Sequence, residues 1–122
     1  MVISDDQFST LIGKALASLP GEHAKNIQNV AILMADDPSP EQREKVQLRN
    51  DQTLFGLYEG VPLSQRQGTQ PLYPDRITLF KHPLLYGIFT EQQLFERIRH
   101  TLWHEIGHYY GLDHKRIHEL ET

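Results

Sequence analysis

The run His104-Glu105-Ile106-Gly107-His108-Tyr109-Tyr110-Gly111-Leu112-Asp113-His114 constrains this chain more than any other stretch of it. It has the form H-E-x-x-H-x-x-G-x-x-H. An α-helix turns about 100° per residue, so His104 and His108 stand within roughly 40° of each other on one face, one turn apart. Both imidazoles can then reach one zinc ion at about 2.0–2.1 Å. Glu105 lies beside that face, placed to approach a water on the ion rather than to bind the ion itself. A further histidine on an unbroken helix, two turns beyond the first, would be about 12 Å away along the axis and could not share the ion. The helix must therefore stop and the chain turn back. Gly111 can take the left-handed conformation that ends a helix without a Cβ clash, and His114 then swings in as the third ligand. Three protein ligands leave a fourth position open, the catalytic rather than the closed structural arrangement of zinc.

Asp113 competes with His114, since zinc also accepts carboxylate oxygen, but the spacing favours His114. Asp113 is then a candidate to orient a ligand imidazole, with Glu119 a more distant alternative ligand. His100 lies one turn before His104 and is too far along the axis to share the ion with both motif histidines. His82 beside a strand could touch substrate but reads rather as a surface position, as do His118 and the loop residue His23. Trp103, Tyr109 and Tyr110 read as packing residues. A tyrosine that stabilises a transition state would be Tyr58, Tyr73 or Tyr86, and the sequence does not choose among them.

The 122 residues suit one domain, 1–122, with one modest core. A net charge of −4 argues against nucleic acid as the main partner, because phosphate binding favours a basic face. The absence of cysteine excludes disulfides, a thiolate nucleophile and a Cys-type zinc site. The acidic start Ser4-Asp5-Asp6 has no signal-peptide character, and no apolar run approaches the ~18 residues of a membrane span. A cytoplasmic location is the expectation.

Three capping boxes punctuate the chain: Ser4 with Gln7, Ser39 with Gln42, and Thr90 with Gln93. The first predicts a helix over 5–19, with Phe8, Leu11, Ile12, Ala15 and Leu19 at helical spacing and Pro20-Gly21 as the stop. The second predicts a short helix from Pro40 to Val46. The third opens the motif helix, 91–110, whose stripe Leu94, Ile98, Leu102 and Ile106 docks on a sheet. Val30-Ala31-Ile32-Leu33-Met34, within 26–35, reads as a buried strand. Arg76 to Lys81 reads as a second strand, with Pro83 suggesting a strand end or a sheet edge. Leu54 to Gly60 can supply a short strand in a loop-rich region, 48–75, that is either a flap over the site or plain connection. A last helical turn is expected over 115–120. The layout is α+β: a small mixed sheet packed on a long C-terminal zinc-binding helix.

The motif residues resemble those of the zincin metallopeptidases, with the ligand spacing of the metzincin branch. Metzincins place a methionine turn after the zinc helix, whereas Met1 and Met34 both precede it here. The chain is more similar to the small bacterial minimal-zincin family. The similarity runs from Ile77-Thr78-Leu79-Phe80 through Pro83-Leu84 and the helix Glu96–Leu102 to His104-Glu105-Ile106-Gly107-His108 and Gly111-Leu112-Asp113. Members often carry aspartate where this chain has His114. The resemblance implies a zincin-like fold and a metal site, with Zn²⁺ on His104, His108 and His114, Glu105 as general base and a peptide or protein as substrate. An extended substrate is expected to add to an edge strand near Ile77–Phe80. A second resemblance is to the zinc-dependent endoribonucleases of rRNA maturation, which carry H-G-x-x-H-x-x-G-x-D-H. Gly111-Leu112-Asp113-His114 fits their ending, but Glu105 stands where they have glycine. A metal-binding protein without catalysis is the third possibility.

Overall fold

The structure is a computed structural model that describes residues 1–19, 30–49, 53–62, 75–112 and 115–116. All three capping boxes form. The Ser4 side chain accepts from the Gln7 N–H and the Gln7 side chain accepts from the Ser4 N–H, and the pattern repeats at Ser39/Gln42 and Thr90/Gln93. Each pair satisfies two amides that a helix start leaves without partners. The boxes open α1 (Asp5–Ser18), α2 (Pro40–Lys45) and, after a short α3 (Lys81–Leu85), the long α4 (Glu91–Tyr109). Leu19 and Val46 cap α1 and α2, and Tyr110 caps α4, so each expected helix ends one residue early.

The strands are β1 (Val30–Ala35), β2 (Gly56–Glu59) and β3 (Asp75–Phe80). They form one mixed sheet in the order β1-β3-β2, with β1 parallel and β2 antiparallel to β3. α4 packs on β2 and β3 and against α1. The core joins Phe8, Leu11, Ile12 and Ala15 of α1, Ile77 and Leu79 of β3, and Leu94, Ile98, Leu102 and Ile106 of α4. The predicted apolar stripe of the motif helix is therefore its buried face. Close approach of α4 to the sheet depends on Gly56, where a Cβ would stand 2.7 Å from Thr101 Cγ2 and 3.2 Å from the Thr78 carbonyl oxygen.

Three expectations need correction. The strand at 76–81 is not an edge: β3 is central, paired on both sides, with Ile77, Leu79 and Phe80 wholly buried. Lys81 already belongs to α3, and Pro83 lies in the first turn of that helix, where its missing N–H leaves no bond unmade. Nor is the apolar strand β1 buried. It is an edge, with Leu33 44% and Met34 42% exposed. Within the expected last turn only Lys115 and Arg116 are described, and both are helical. Among the described residues no helix is long and apolar enough to cross a membrane.

Candidate metal centre

α4 carries His104, Glu105 and His108 in its last turns, and the helix then ends as the glycine position requires. Gly111 takes φ +87°, its N–H donates to the His108 carbonyl at 2.9 Å, and the Leu112 N–H donates to the Gly107 carbonyl at 3.0 Å. This pair of bonds is the Schellman motif, which satisfies the last carbonyls and turns the chain off the helix axis. Asp113 and His114, and with them the choice of third ligand, lie outside the described residues, as do His118 and Glu119.

His104 and His108 turn their rings to each other with Nε2 atoms 3.2 Å apart. The ring planes stand at 80° to one another. Two nitrogens bound to one zinc ion at about 2.0–2.1 Å in tetrahedral geometry are roughly 3.3–3.4 Å apart. The spacing of the pair is close to that of two ligands on one ion. His104, Glu105 and His108 offer ligand atoms that all lie within 4.8 Å of one another.

Glu105 points away from solvent, with only 6% of its surface exposed. Its Oε1 accepts the backbone N–H of Tyr58 at 3.0 Å. Burial pushes the carboxyl up to about 7, and the Tyr58 amide, which favours the charged form, pulls the other way. Glu105 and His108 face a cavity of about 630 Å³. Gly56, Tyr58 and Gly60 form one side of it, and Val46, Leu48, Leu54 and Leu57 give it an apolar lining.

Of the three candidate tyrosines, Tyr58 reaches this cleft, but its hydroxyl donates to the Asp75 carboxylate. Tyr86 is 84% exposed beyond the C-terminal end of β3, and Tyr73 lies outside the described residues. His82 follows β3 in α3, with Nδ1 2.8 Å from the exposed carboxylate of Asp37, and does not line the cleft. His100 is exposed and His23 is outside the described residues. Tyr109 is buried, and Trp103 and Tyr110 pack on the core. Asp75, an acid only 2% exposed at the head of the central strand, has no spacing signature. Its one trace in the sequence is a carboxylate two residues before the run Ile77–Phe80.

The zincin-like metallopeptidase family matches residues 27–122. No curated protein matches the chain. Among solved structures, a conserved hypothetical protein from T. thermophilus is similar over 88% of this chain and 94% of its own, with 15% identity and a TM-score of 0.57. That likeness is one of fold. The family match extends from before β1 to beyond the motif and includes the helix that carries His104, Glu105 and His108. The chain belongs to the zincin-like metallopeptidase family.

Proposed function

We propose that the protein is a zinc-dependent metallopeptidase, with Glu105 as the general base of peptide-bond hydrolysis. One observation carries the reading: two imidazole nitrogens 3.2 Å apart, with the buried carboxylate of Glu105, the residue after the first histidine, facing the same cleft as His108. His104 and His108 hold the ion, and His114, three residues after Gly111 in the sequence, is the third ligand of the set. When bound, zinc supplies a Lewis acid that activates water and stabilises developing negative charge. Glu105 takes a proton from the attacking water as the carbon–oxygen bond forms. It passes that proton to the amine nitrogen as the carbon–nitrogen bond breaks.

The substrate edge is β2 rather than Ile77–Phe80. The Phe80 N–H donates to the Phe55 carbonyl, so in this antiparallel pair the odd-numbered residues of β2 face β3; the Gly56 amide groups and the Tyr58 carbonyl point outward toward a substrate strand, while the outward Tyr58 N–H is held by Glu105. An extended peptide laid along that edge runs beside Glu105 and His108, and its side chains meet the apolar wall.

The test is a peptide library incubated with the zinc-loaded chain. Wild type is expected to cleave, and Glu105→Gln to keep its zinc while cleaving at least about 100-fold more slowly. Equal cleavage by both would overturn the role of Glu105. Zinc binding with no cleavage by wild type would make this a metal-binding protein without hydrolysis. Cleavage of structured RNA that ignores Glu105→Gln would favour the nuclease reading.

A further inference from the structure

The contacts of Tyr58 link the candidate base to the centre of the sheet. Its outward N–H holds Glu105 Oε1 at 3.0 Å. Its ring meets the buried Tyr109 edge-on, with centroids 6.2 Å apart. Its hydroxyl donates to Asp75, two residues from Ile77, the register partner of Tyr58. The space for Asp75 is left by Gly60, where a Cβ would collide with the Asp75 carboxylate. A carboxylate so deeply buried is retained only where hydrogen bonds offset its desolvation. The chain therefore commits a buried acid and a glycine at the end of β2 to fixing one tyrosine, and that tyrosine's main chain meets the motif glutamate.

We propose that Asp75 and Tyr58 are positioning residues for the Glu105 carboxylate. Asp75 pins the Tyr58 side chain, and the pinned strand presents the Tyr58 N–H that fixes Glu105 Oε1 at the cleft. A main-chain donor suits this task, because it carries no side-chain freedom and cannot titrate. The consequence for turnover rests on the reading of Glu105 as base, whereas the placement of the carboxylate does not.

Residue-resolved amide hydrogen exchange on the full chain, with one equivalent of zinc present, tests the proposal. The Tyr58 amide points out of an edge strand and would exchange fast if solvent were its acceptor. In wild type it is expected to be protected, and Glu105→Ala should speed its exchange about tenfold or more. Glu105→Gln, which keeps an acceptor oxygen, should preserve most of the protection. Asp75→Ala and Tyr58→Phe should each speed exchange at Tyr58 by about threefold or more, while Asp75→Asn, which can still accept from the hydroxyl, should not. The Leu57 amide, which faces β3, must stay protected throughout, showing that β2 remains paired. Tyr58→Phe decides the link to Asp75 if Asp75→Ala fails to fold. Equal Tyr58 exchange in wild type and Glu105→Ala would overturn the proposal. So would a Tyr58 amide indifferent to both Asp75→Ala and Tyr58→Phe. Because no substrate is used, failure of the peptidase reading shows separately, as an uncleaved peptide library.

Discussion

Glu105 sits where two effects oppose each other. Burial disfavours its charge, the Tyr58 amide favours it, and burial wins, leaving the carboxyl at about 7. The folded chain without metal thus holds a proton on Glu105 over a range where the unfolded chain does not. The resulting stability is fully present below about 4.5, the ordinary carboxyl value, and is lost as pH rises through about 7. The shift corresponds to roughly 3 kcal/mol. Denaturant titrations of metal-free wild type and Glu105→Gln should therefore show wild type losing stability relative to the variant between those two pH values. A flat difference would contradict the prediction. At this scale the placement of His104, Glu105 and His108 on one helix, and of Gly111 at its end, was legible because it follows from local helix geometry. Tyr58 and Asp75 were not. The Tyr58–Glu105 contact spans 47 residues and is made by a backbone N–H, which has no residue-type signature.

Among the elements, the termini of α4 were legible and the order of the strands was not. Thr90 and Gln93 mark the start of α4 by a chemical pattern, and Gly111 marks its end by a conformation that side chains disfavour. Strand order has no such marker. The apolar run of β1 is the more hydrophobic, yet β3 takes the centre, paired on both sides, with Ile77 and Leu79 in the core that α4 covers. The Schellman turn yields a prediction at this scale. At φ +87° a Cβ is strained, so Gly111→Ala should destabilise the chain by about 1–2 kcal/mol. It should also weaken zinc binding, because the proposed third ligand, His114, follows that turn in the sequence. Denaturation and competition with a zinc chelator measure the two effects. Unchanged zinc affinity would mean that the turn does not aim a ligand.

The whole molecule is a thin sheet with both principal helices gathered in one core, so site and core are coupled through α4. Leu102, wholly buried one residue before Trp103 and two before His104, tests that coupling. Leu102→Ala should cost about 2–5 kcal/mol in urea titration, with the denaturant slope unchanged. Zinc should return part of that loss. An ion that binds only the folded chain adds about 4 kcal/mol at a thousandfold excess over its dissociation constant, and a chelator should remove the gain. The α+β class and the long terminal helix were legible at this scale, because capping and periodicity are local. The cleft was not, because it forms only where β2, distant in sequence, closes over α4. Zinc stoichiometry is the sharpest test of the proposed metal centre. Metal analysis of the purified chain should find one zinc per molecule in wild type and in Glu105→Gln, and none in His104→Ala or His108→Ala. Full zinc retention by His108→Ala would contradict it.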